Sequence, residues 1–289
     1  MKFKMKNFFN LKLIVSIIIV ASSVSVIGVF LFGAADANKL SIHTSPKAII
    51  IDQLYDDIPN RYFSQRVAEL LAGAGYTVEV VTTKDVTVDF YKKLPTLDYK
   101  FVVVRTHGAV DSADGTTVTL FTGEEYTTEK YISEQLFGQV KKGIPMLERT
   151  FSTSVSESLR NIANGTHKPI TLSLTDTVSR KGEYFAITPT FVDTAMSGEF
   201  SETVFVLGGC KTMHTDSLAQ SLVRKGASTV VGWDNPVSAT DNDVAMIELL
   251  ERLLEDKMEI NQAMNSANEL IAIEDMAYPA RLKSYSEQV

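Results

Sequence analysis

Two short apolar runs, about a hundred residues apart, constrain the fold more than any other feature. Phe101-Val102-Val103-Val104-Arg105-Thr106 stops at His107-Gly108, and Thr203-Val204-Phe205-Val206-Leu207 stops at Gly208-Gly209-Cys210. Runs of this length, unbroken by polar alternation, belong to strands buried on both faces, which occur mainly in parallel sheets. Each run ends at a reactive side chain flanked by glycine, and Cys210 is the only cysteine in the chain. The expected arrangement has both runs as neighbouring strands of one sheet. His107 and Cys210 then meet at its carboxyl edge, where open α/β sheets bind their ligands.

The surrounding pattern supports such a sheet. Ala48-Ile49-Ile50-Ile51 reads as a first strand. Asn60 caps a helix with Phe63, Val67, Leu70, Leu71 and Ala74 at helical spacing, and Tyr76 to Val81 follows as a second strand. Asp85 is expected to start a short helix closed by Pro95. After Cys210, Asp216 is expected to cap a helix that Gly226 ends, and Ala227 to Trp233 reads as a fifth strand. Helices over Asp241 to Met258 and Ile260 to Ile273 close the pattern. Strands alternating with helices predict an α/β domain, a mainly parallel sheet between helical layers. Residues 109–201 are less regular. Strands are expected near Thr116–Phe121, Thr171–Thr175 and Tyr184–Ile187, and helices over Tyr126–Phe137 and Ser152–Asn164. A long insertion after a reactive strand end often walls a substrate cleft.

The N-terminus reads as a targeting segment. Lys2, Lys4, Lys6 and Lys12 precede an apolar run from Leu13 to Gly33. A basic flank before ~20 apolar residues keeps the lysines on the inner side of a membrane and exports the remainder. The run exceeds a usual signal core, which favours an uncleaved anchor. Ala35-Asp36-Ala37 nevertheless offers a cleavage site after Ala37, with a secreted product. The expected organisation is an anchor or signal over 1–37, a stalk over 38–46 and an α/β domain over 47–289. The formal charge of −7 over 289 residues leaves no basic stripe for nucleic acid. A lone thiol excludes an intramolecular disulfide, and catalysis is one reason to carry it outside the cell. Asn164-Gly165-Thr166 is a glycosylation sequon.

Three readings of the strand ends compete. His107 as general base and Cys210 as nucleophile form a dyad, with the N–H groups of Gly108 and Cys210 directed at an oxyanion. Alternatively, Cys210 is a small buried hydrophobe and His107 a core or loop residue. A metal site would use Cys210, His214 and His107, but lacks a fourth ligand. Asp52, Trp233 and Asp234 end other strands of the same edge and become candidate pocket residues with Gly208 and Gly209. No cofactor is called for, and the acidic loops show no recognised calcium spacing.

The ending Thr106-His107-Gly108, the ending Gly208-Gly209-Cys210, the order of elements and Gly232-Trp233-Asp234-Asn235-Pro236-Val237-Ser238 together resemble the caspase–gingipain–clostripain clan of cysteine peptidases. The resemblance spans roughly 47–270. It implies a caspase-like α/β/α sandwich and peptide-bond cleavage through an acyl-enzyme. His107, Gly108 and Cys210 match the family's histidine, oxyanion donor and nucleophile. Arginine-specific members often carry an acidic residue two positions before the cysteine, where this chain has Gly208. Charge for a basic substrate would then come from Asp52 or Asp234, and an uncharged preference is equally open. A non-catalytic binding or sensing module on the same fold is the alternative.

Overall fold

A computed structural model describes residues 45–145, 149–151, 174–176, 182–271 and 279–286. The N-terminal segment, the sequon and the helix expected over Ser152–Asn164 lie outside these residues. Among the described residues no helix is long and apolar enough to cross a membrane.

The centre is a six-stranded sheet. Its strands are β1 (Lys47–Asp52), β2 (Thr77–Thr82), β3 (Tyr99–Arg105), β10 (Thr203–Gly208), β11 (Ala227–Trp233) and β12 (Leu282–Ser286), in the order β12-β11-β10-β3-β1-β2. All neighbours are parallel except the β11–β12 pair. The chain is therefore an α/β protein with a mainly parallel sheet, and the two apolar runs do lie side by side. Alternate residues of each strand enter different cores. Ile50, Phe101, Val103, Val206 and Val231 pack with α1 (Arg61–Gly73), α6 (Ala239–Leu254) and α7 (Ile260–Ile271). Ile51, Val102, Val104, Phe205 and Leu207 pack on the other face with α2 (Val88–Lys93), α4 (Pro189–Thr194) and α5 (Ser217–Arg224). Two apolar faces explain why these strands read as unbroken runs rather than alternating ones.

Most expected boundaries fall within a few residues of the observed ones, and two starts differ for local reasons. Asp85 ends a 3₁₀ turn, and Thr87 caps α2 by accepting the Phe90 N–H at 3.0 Å. Ser238 rather than Asp241 starts α6. Its hydroxyl accepts the Asp241 N–H at 3.0 Å and donates to the Asp241 carboxylate at 2.8 Å, a reciprocal cap. Asp216 occupies the N-cap of α5 without a side-chain bond to it.

Besides the helix α4 (Pro189–Thr194), two features were not anticipated. The chain between His107 and α4 contributes a second, antiparallel sheet. It contains β4 (Gly108–Val110), β5 (Val118–Glu125), β6 (Val140–Gly143) and β9 (Tyr184–Ile187), ordered β4-β5-β9-β6. A further pair, β7 (Arg149–Phe151) and β8 (Leu174–Asp176), is antiparallel. Of the helix expected over Tyr126–Phe137 only α3 (Ile132–Leu136) forms. Thr127 and Thr128 bond to Glu129 instead, the local competition that disfavours helix in such runs. The other unanticipated element is β12. Its polar sequence pairs along a sheet edge, with Asn268 accepting the Leu282 N–H at 2.8 Å and donating to its carbonyl at 3.2 Å.

Candidate active site

The ends of β3 and β10 are in register. Leu207 is level with Val104 and Gly208 with Arg105, and the Thr106 N–H donates to the Gly208 carbonyl at 2.9 Å. Continuing that register by two residues brings Cys210 level with His107. The backbones close tightly beyond the last pair. A Cβ on Gly108 would strike the Cys210 carbonyl oxygen, and one on Gly209 would lie 2.5 Å from the Thr106 carbonyl oxygen. The glycines thus admit the neighbouring strand end rather than a substrate backbone. Gly108→Ala should force the two ends apart and destabilise the fold by about 1–3 kcal/mol, measured as a lowered denaturation midpoint with an unchanged denaturant slope.

His107 is held deep. Only 6% of the residue is exposed, its ring lies 5.9 Å from that of Phe121, and Nε2 has no hydrogen-bond partner. Burial first, and the Arg105 charge second, push its pKa down to about 4. The imidazole is therefore neutral at neutral pH, the form that can accept a proton. Between about pH 4 and its ordinary value of 6.5 the unfolded chain takes up a proton that the fold refuses. Stability should accordingly rise with pH across that window and level off above it. Relative to a His107→Gln chain, the parent should gain about 3 kcal/mol from the low to the high end of the window. Urea unfolding of both chains across the window would read this; a constant difference would show that His107 is not buried as a neutral ring.

The Cys210 thiol is half-buried at the edge of the core formed with α1, α6 and α7. It lies 3.3 Å from the Val237 carbonyl oxygen, to which it donates, and accepts the Val237 N–H at 3.5 Å. The turn after it is firmly tied to the end of β11. Lys211 adopts a left-handed conformation at φ 59° and donates its N–H to the Asn235 carbonyl. The Thr212 hydroxyl accepts the Trp233 N–H at 2.9 Å and donates to the Leu207 carbonyl at 3.1 Å. Thr212 was not singled out from the sequence, and Val237 entered only within the run Gly232–Ser238; each stands four residues past a strand end.

The candidate pocket residues fare differently. Asp52 is fully buried, and its carboxylate accepts from Arg105 at 3.0 Å and from Ser64 at 2.8 Å. Arg105, also fully buried, binds Asp243 of α6 through Nε at 2.7 Å and through a terminal nitrogen at 2.9 Å. Burial opposes the Arg105 charge, but Asp243 and Asp52 together raise its pKa above the ordinary value. Desolvation raises that of Asp52 despite Arg105. Asp52 is thus committed to an internal ion pair. Gly208 sits beneath α6, where a Cβ would meet Met246 and the Asn242 side-chain oxygen. Trp233 is fully buried with its indole N–H donating to Asn242 at 2.8 Å. Asp234 accepts the Arg281 N–H at 2.8 Å and lies 3.8 Å from the Lys283 ammonium, anchoring the approach to β12. These residues reach the expected edge, and their side chains are engaged with the protein itself. His214, exposed, has Nδ1 3.2 Å from the Asp234 carbonyl oxygen. Among the described residues no group of three or more His, Cys, Asp or Glu side chains is placed to hold a metal ion.

No protein-family model matches the chain, and no curated protein matches it.

Proposed function

We propose that the protein is a cysteine endopeptidase of caspase-like fold, with Cys210 as nucleophile and His107 as general base and acid. The observation that carries this reading is the register of β3 and β10, which makes the sole cysteine and a neutral histidine successors of paired strand ends. In this mechanism the imidazole takes the thiol proton as sulfur attacks the peptide carbonyl, and then passes it to the leaving amine. Water releases the acyl group by the same route in reverse roles. Gly108 and Cys210 N–H groups are the candidate oxyanion donors. No separate cofactor enters these steps. The substrate is a peptide or protein, and nucleic acid has no place in the reading.

The basic flank and the apolar residues 13–33 support an exported domain held at the cell membrane. Cleavage after Ala37 would release it. The rival is a non-catalytic binding or sensing module on the same sheet, which the deep burial of His107 favours. Incubating the full chain with a mixed peptide library and with a peptidyl chloromethyl ketone separates the two. The peptidase should cut the library and carry the label on Cys210. An intact library with no labelling would establish the non-catalytic module instead.

A further inference from the structure

The sheet order places β2 on one side of β1 and β3, β10 and β11 on the other. The strand order therefore reverses between β1 and β3, and the crevice beyond the carboxyl ends at such a point is where α/β sheets bind ligands. His107 follows β3 there. The residue that follows β1 is Gln53.

Gln53 is fully buried, and every group it uses joins the two strand ends. Its N–H donates to the Arg105 carbonyl at 2.9 Å. Its side-chain oxygen accepts the His107 N–H at 3.1 Å and the Thr106 hydroxyl at 3.2 Å. A backbone N–H can only donate, so the amide oxygen must face His107, and the orientation of the amide is fixed. Its Nε2 is left without a hydrogen-bond partner, as is the Nε2 of His107. Two buried, unsatisfied polar atoms on directly bonded residues are costly to keep in a fold. Their retention at the strand-order reversal sets this corner apart from the packed core. A leucine or methionine at position 53 would fill space without the cost.

We infer that Gln53 is a positioning residue of the dyad: its side-chain oxygen fixes the backbone at His107 and so sets where the imidazole stands relative to Cys210. This rests on the peptidase reading and names a residue through which that site is held. The charges around the pair are Arg105 on β3, Asp52 on β1 and Asp243 on α6, already bonded to one another.

The test uses the full chain and iodoacetamide, which reports Cys210 whether or not a peptide is cut. In Gln53→Glu both acceptor contacts survive and a negative charge is added beside the ring. The pH of half-maximal alkylation should fall by about one unit in that variant, because the added charge favours the imidazolium and with it the thiolate. The shift should vanish when His107→Ala is combined with it, because the effect passes through the imidazole. In Gln53→Met both acceptor contacts are lost, and kcat on a cleaved peptide should fall about 100-fold with KM within about threefold. A shift that is absent, or that persists without His107, would overturn the assignment. A Gln53→Met chain with undiminished kcat would overturn it as well. Failure of the peptidase reading looks different: the parent cuts no peptide, and His107→Ala leaves the alkylation profile of the parent unchanged.

Discussion

A Cys210→Ala chain is expected to lose peptide hydrolysis by at least about three orders of magnitude, since removing the nucleophile of a covalent mechanism leaves only binding and oxyanion contributions. Its fold should hardly notice. The thiol is half-buried and bonded to the Val237 main chain, so its loss removes a small apolar contact and weak sulfur hydrogen bonds. That is worth about 1 kcal/mol, or a melting shift of roughly 2–4 °C for a domain of this size. Parallel measurement of turnover and melting temperature separates catalysis from packing. Lost turnover with a small shift fits the nucleophile, whereas a shift beyond about 10 °C would make Cys210 a core residue first.

The second large effect concerns stability. Arg105→Met should cost about 3–5 kcal/mol, because it strands two buried carboxylates that the guanidinium now bridges. Asp52 is fully buried and Asp243 is 2% exposed, so neither can turn to solvent for relief. The sign with pH follows. Without the cation the desolvation that already raises the Asp52 pKa is unopposed, so that carboxyl stays neutral to higher pH than in the unfolded chain. The deficit is therefore greatest at neutral pH and shrinks on acidification, as the stranded groups protonate in both states. Chemical denaturation of both chains at pH 7 and near pH 4.5 reads the two numbers. An equal deficit at both would show that the loss is one of packing alone.

The sheet was legible because its strands are buried on both faces, and burial of that kind writes an unbroken apolar run. Tyr184–Ile187 and Ala227–Trp233 were read to the residue for the same reason. β12 was invisible because only its pairing, not its composition, makes it a strand. The pairing of the two strand ends that carry the proposed dyad was legible from the apolar runs and their glycine flanks. The pocket was not, since an acid in sequence carries no sign of its partner. Asp52 looks available until Arg105, fifty-three positions later, is seen beside it. Arg105 reads as the tail of a run, and Gln53 follows the first apolar run with nothing to mark it, although both are among the most enclosed polar side chains of the fold.

The interval between β3 and β10 also bears on how the molecule is made. Chains emerge from the ribosome at roughly 5–20 residues per second, so β3 is complete several seconds before its partner exists. During that interval its apolar edge faces no strand on the β10 side, a template for pairing with other chains. The two halves of the proposed dyad come together only when that gap closes. On the proposed reading an unfinished chain is inactive, and the danger it presents while it waits is aggregation.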